Sequence, residues 1–173
     1  MIGAAASARR PTVLASAGRA AAVVIAGVLA VLWTIEGVVK VRAGFGTSDI
    51  LLVADGAERN TRVPEWFAPI WALMRGIPAV FGIGIPMLEL LLGAAFAMLA
   101  VGGLLGLLRV RGVAPRSSRR VTAVAAVVSG GTLALYWTSD QLIAQYPAML
   151  VLSLLLLAVE ALTPSAVVTT VEG

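Results

Sequence analysis

No cysteine and no histidine occur anywhere in the chain. Thiol nucleophiles and disulfide exchange are therefore excluded, and with them quinone-linked chemistry of the CxxC kind. Without imidazole there is no ordinary zinc site and no histidine-ligated haem. Charge is also scarce. Only 13% of the 173 residues are charged, where a soluble domain keeps about a quarter. The remainder is 60% hydrophobic, with a mean hydropathy of +0.97. The combination predicts one small integral membrane domain. The net charge of +4 comes almost wholly from arginines at the ends of apolar runs, a pattern of topology signals and lipid headgroups rather than of nucleic-acid binding.

A helical span needs about 20 apolar residues, and four segments approach that, at about 20–41, 78–108, 121–138 and 147–162. The expected fold is all-α: an integral membrane four-helix bundle with a short interfacial helix in the first extracytoplasmic connection. An amino-terminal segment 1–19 and a tail 163–173 flank the membrane domain 20–162. Arg9, Arg10 and Arg19 precede the first span, while Arg109, Arg111, Arg116, Arg119 and Arg120 fill the second connection. The third connection, Ser139 to Tyr146, has Asp140 and no basic residue. The positive-inside rule then places both termini and the second connection in the cytoplasm. Arg9-Arg10 also suits a twin-arginine export signal, but no small-residue cleavage site follows and Glu36 interrupts the apolar run, so an uncleaved anchor is the better reading. Arginine in place of lysine, with much alanine and valine, suits a GC-rich bacterium and its plasma membrane.

The first connection is long and electrically mixed. Its later half, PEWFAPIWALMRG from Pro64 to Gly76, suggests a helix begun by proline and ended by glycine, with tryptophans at headgroup depth. It reads as an aromatic-belt anchor or as a lid over the bundle. Upstream, TSDILLVADG suggests a short amphipathic turn closed by Asp55-Gly56. In the second span, Gly82, Gly84 and Pro86 suggest a broken helix restarted at Pro86, with non-helical backbone lining a cavity. GGLLG (Gly102–Gly106) and SGG (Ser129–Gly131) supply small residues for close helix packing.

Carboxylates in hydrocarbon need a partner, a proton or a task, and Glu36, Glu89 and Glu160 all fall within apolar runs. Glu160 lies about 20 Å down the fourth span, near its cytoplasmic end, where it reaches water. Glu36 has Lys40 one turn away, as a structural i,i+4 pair or as part of a site. Glu89 has no partner within a turn of its own helix; a helix restarted at Pro86 would place it in a first turn, where the dipole favours an anion. Glu36, Lys40, Glu89 and Asp140, with Arg75 nearby, are expected to converge in the outer half of the bundle. No metal site is expected.

A first span ending in Gly-x-x-Lys (Gly37 to Lys40), an aromatic connection with proline, and a glutamate followed by glycine four residues on (Glu89, Gly93) resemble the DoxX family. They resemble also the related DoxD small subunit of thiosulfate:quinone oxidoreductase. The likeness covers about Val31 to Leu162. It implies a four-helix membrane subunit beside an oxidoreductase of the quinone pool, or of sulfur and oxidative-stress chemistry, with Gly37, Lys40, Glu89 and Gly93 as the matching positions. The methylamine-utilisation membrane proteins share a similar helix pattern, but the disulfide chemistry expected of them finds no cysteine here. The leading expectation is thus an accessory or anchor subunit, not catalytic alone, with no covalent cofactor and a quinone as candidate ligand. Expected partners are membrane lipids and a larger complex. The alternatives are a structural or regulatory membrane component and a small proton-coupled transporter.

Overall fold

The computed structural model describes residues 10–108, 119–141 and 144–162. Arg9, Arg109, Arg111, Arg116 and the tail 163–173 lie outside the described residues. All regular structure among those described is helical: α1 (Arg10–Arg42), α2 (Thr47–Arg59), a 3₁₀ turn (Glu65–Phe67), α3 (Ala68–Gly76), α4 (Pro78–Leu107), α5 (Arg119–Thr138) and α6 (Tyr146–Leu162). Three helices, α1, α4 and α5, are long and apolar enough to cross a membrane. α6 is apolar but only 17 residues long, about 25 Å at the helical rise.

α1 packs along α4, α6 lies against α1, and α5 rests mainly on α6 with only a few close approaches to α4. Trp33, Leu92, Phe96, Leu133, Met149 and Leu156 build the core between these four helices. Small residues let α1 and α4 approach closely. A Cβ on Gly93 would lie 3.0 Å from the backbone nitrogen of Thr34, and one on Gly37 would meet the side chain of Leu90 at 2.7 Å. Both glycines of the family-like motif are thus packing positions. Of the other small-residue runs, Gly103 abuts Val23, whereas Gly102 and Gly131 face open space. A buried polar ladder crosses the core: Trp33 Nε1 donates to Ser129 Oγ (2.9 Å), which bonds Ser153 Oγ (2.8 Å).

α4 corrects the broken-helix expectation. It runs without interruption from Pro78 to Leu107, with Pro86 inside it. Proline at the first helical position is pre-shaped for a helix start, so the helix begins at Pro78. Pro86 removes one backbone bond, but stopping an apolar helix would strand several donors and acceptors at each new end. Glu89 consequently sits about three turns into α4, not in a first turn, and the helix dipole does not account for it.

The first connection is more ordered than its sequence suggests. α1 ends at Gly44 (φ +71°), where Phe45 N–H reaches back to Lys40 C=O (2.9 Å) and Gly44 N–H to Val41 C=O (3.2 Å); this left-handed terminus is a Schellman motif. Asp49 then accepts the Gly46 N–H (2.9 Å), starting α2. The turn expected to close at Asp55-Gly56 instead continues to Arg59, capped by Asn60. Burial of Ala57 against Val63 and Phe67, and the Asp55–Arg59 pair, carry it past the glycine. α2 and α3 form a two-helix cover on α4. Its tightest seat is backbone on backbone, since a Cβ on Gly82 would lie 2.8 Å from the Gly46 carbonyl carbon and 3.1 Å from Thr47 N.

Substituting Gly93 or Gly82 by valine should therefore lower thermal stability in detergent, by about 1–3 kcal/mol each as for other overpacked sites. The same change at Gly84, which meets nothing within 4 Å, serves as the control. Equal melting temperatures for the three variants would refute the close-approach account.

Candidate functional site

The ends of α1 and α5, the start of α6 and the middle of α4 bring their polar side chains together at one point. Lys40, in the last turn of α1, forms an ion pair with Glu89 of α4 through Oε1 and lies 3.7 Å from Glu36. Its ammonium also donates to Tyr146 Oη at 3.1 Å. Tyr136 of α5 donates to the same Glu89 oxygen (2.8 Å), and Tyr146 of α6 donates to Glu36 Oε2 (2.6 Å). Gln145 donates to Glu36 Oε1. The rings of Phe45, Tyr136 and Tyr146 surround the ammonium with centroids 5.5–5.9 Å away, within the range of cation–π attraction.

Glu89 is fully buried, and its Oε2 has no hydrogen-bond partner among the described residues. Leaving a buried acceptor unmet costs about 1–3 kcal/mol, more for a charged one. Glu89 Oε2 is thus left without a protein donor among the described residues, while the single ammonium serves two carboxyl groups.

Against this network lies a cavity of about 310 Å³. The cover supplies Ile50, Val53, Phe67, Ile70 and Met74; α4 supplies Phe81, Ile85 and Leu88; α5 supplies Thr132 and Leu135, and the turn after it Ser139. Lys40, Tyr136, Tyr146 and Gln141 gather the polar atoms. The Schellman turn after α1 is what turns Phe45 back beside Lys40 and into the cavity wall. An apolar chamber of this size with a few convergent polar groups matches the ordinary form of a small-molecule site. Among the described residues no three acidic side chains converge as a metal ion would require.

Of the residues expected to cluster, Glu36, Lys40 and Glu89 come together, while Arg75 and Asp140 do not join them. Arg75 clamps α3 to α2, bonding Asp55 (2.8 Å) and Glu58. Hydrogen bonds to Glu58 and then Asp55 raise its pKa above the ordinary arginine value. Asp140 instead ends α5 in a left-handed turn (φ 58°), with Gln141 N–H reaching Tyr136 C=O (2.7 Å). Its carboxylate accepts from Arg62 (2.7 Å) and Asn60 (2.8 Å), tying the α5–α6 turn to the cover. At the opposite end, Arg119 donates to the carbonyls of Glu160 and Ala161. Tyr136, Tyr146 and Gln145 were not among the expected site residues. Their signal was positional, polar aromatics and an amide at the same-side ends of two apolar helices.

No family model, curated protein or solved structure matches this chain.

Replacing Lys40 by methionine would leave Glu89 buried without its cation. Such losses cost about 3–5 kcal/mol. Thermal unfolding in detergent should show a large drop for Lys40→Met and substantial recovery in the Lys40→Met, Glu89→Leu double variant. Additive losses in the double variant would show that the pair is not coupled.

Proposed function

We propose that the chain is a DoxX-like four-span membrane subunit, an accessory or anchor component of a quinone-linked or oxidative-stress oxidoreductase complex in a bacterial plasma membrane. In this reading α1, α4, α5 and α6 are the spans. Both termini and the arginine-rich connection are cytoplasmic, and α2–α3 forms the interfacial cover on the outer side. The arginine distribution supports that orientation. The apolar length of the helices supports the membrane placement, and the exposed Trp66 and Leu73 of the cover suit an outer interface.

One observation carries the ligand reading: an apolar cavity ends at Lys40 and Tyr136, both already bonded to a buried carboxylate. A quinone fits this environment. Lys40 would donate a hydrogen bond to a carbonyl of its head, Glu89 stands one bond behind it as a proton acceptor or donor, and the aromatic walls flank the ring. The redox equivalents belong to the partner enzyme.

The four-helix connectivity of the ion network favours a second reading, a non-catalytic structural or regulatory component in which the charges lock the bundle. Quinone retention separates the two. Protein in lipid nanodiscs should retain a decyl-chain benzoquinone above the level of empty nanodiscs. Lys40→Gln should weaken retention by about tenfold, the equivalent of one charge-assisted hydrogen bond at roughly 1.4 kcal/mol. Retention equal to empty nanodiscs would end the quinone reading and leave the structural one. Capture of an oxidoreductase from native membranes in mild detergent tests the subunit role.

A further inference from the structure

The wall of the cavity is not closed equally on all sides. On the cover side it is fastened by the Arg62–Asp140 and Asn60–Asp140 bonds and by the backbone seat at Gly82. Between α4 and α5 the Tyr136–Glu89 bond closes the polar end, and among the described residues no other hydrogen bond or ion pair joins these two helices at the level of the cavity. Leu135 lines the cavity and is 46% exposed. Ile85, Leu88 and Thr132 also line it and are also partly exposed. Deeper in the bundle the same helices close over Leu92, Phe96 and Leu133, so the seam is confined to the level of the cavity. Its one hydroxyl, Thr132 Oγ1, is turned back onto Val128 C=O (2.9 Å). The seam therefore offers hydrocarbon no unmet polar group, as a surface facing lipid requires.

The polar end restricts the head group. Lys40 is the only charged side chain among the lining residues, and its charge is already engaged by Glu89 and Glu36. An anionic head finds no spare positive charge. A cationic head meets the ammonium before either carboxyl group. The hydroxyl oxygens of Tyr136 and Tyr146, whose protons go to Glu89 and Glu36, can accept a hydrogen bond from an uncharged head, and the carboxamide of Gln141 can donate or accept one. A chamber of about 310 Å³ lies at the lower end for drug-sized ligands, which suits one chain rather than two.

We infer that the cavity takes an uncharged, single-chain amphiphile dissolved in the bilayer, admitted sideways through the seam between α4 and α5. This rests on the membrane placement proposed above and is independent of whether the head is a quinone. A water-soluble solute would have to pass the fastened cover; a lipid-phase molecule need only part Leu88 and Leu135.

The test uses photoreactive diazirine probes of equal chain length in nanodiscs containing the full chain, with labelled peptides mapped by mass spectrometry. A monoacylglycerol probe should label the α3–α4 segment that carries Met74, Phe81 and Ile85. Fatty-acid (ionised, at alkaline pH) and alkyl-trimethylammonium probes should label it about tenfold less, as expected for an uncompensated charge entering a mostly apolar site. Leu135→Trp should slow labelling and Leu135→Ala should hasten it, with helical content and melting temperature monitored in both. Equal labelling by the charged probes would overturn the head-group assignment. Labelling unaffected by either Leu135 variant but hastened by Arg62→Ala would overturn side entry. Monoacylglycerol labelling together with no retention of the benzoquinone would strike the quinone reading alone.

Discussion

The structure depends on what happens to one ammonium group. Lys40 ends a long apolar helix and its side chain is largely buried, so its charge has to be met inside the protein. Glu89 meets it from α4, Tyr146 from α6, and Tyr136 holds the same Glu89 oxygen from α5. Four helices are thereby referred to a single point. The cavity follows from the same constraint, because gathering the polar atoms at one end leaves the space beside them walled by apolar side chains.

Arrangements of this kind balance stability against chemistry. A buried ion pair is weak evidence for net stabilisation, since desolvation offsets much of its attraction. Here one carboxylate oxygen has no protein donor among the described residues. Aromatic rings around the ammonium soften its burial without neutralising it. A buried carboxylate with one oxygen free of protein donors among the described residues, set beside an apolar chamber, is chemically able to take up a ligand donor or a proton.

Much of this was legible in the sequence, and the failures have physical causes. Apolar run lengths gave the helices to within a residue or two for α4, α5 and α6, because burial in hydrocarbon leaves little choice but helix. Lys40 was identified with its neighbour Glu36, one turn away. Its closer partner, Glu89, is 49 residues distant, and local spacing carries no information about that. Pro86 misled for a related reason: in water a proline readily ends a helix, but in an apolar helix the cost of two new ends exceeds that of one missing bond. Asp140 and Arg75 were expected at the cluster on grounds of side alone, whereas each had nearer opposite charges on the cover. Tyr136 and Tyr146 were missed as bonding groups because tyrosines at span ends read equally well as interface anchors.

The hydrogen-bonded ladder of Trp33, Ser129 and Ser153 has a mechanical meaning as well. An indole and two hydroxyls at the centre of an oily core fix how α1, α5 and α6 are turned about their own axes, since rotating any one of them would carry its polar atom into contact with nothing but hydrocarbon. α4 contributes no rung to that ladder. It is oriented instead by Glu89, one oxygen of which is held by both Lys40 of α1 and Tyr136 of α5, and it seats the cover through Gly82. Two sets of buried bonds thus fix the rotation of all four helices, and the chamber lies beside the set that orients α4.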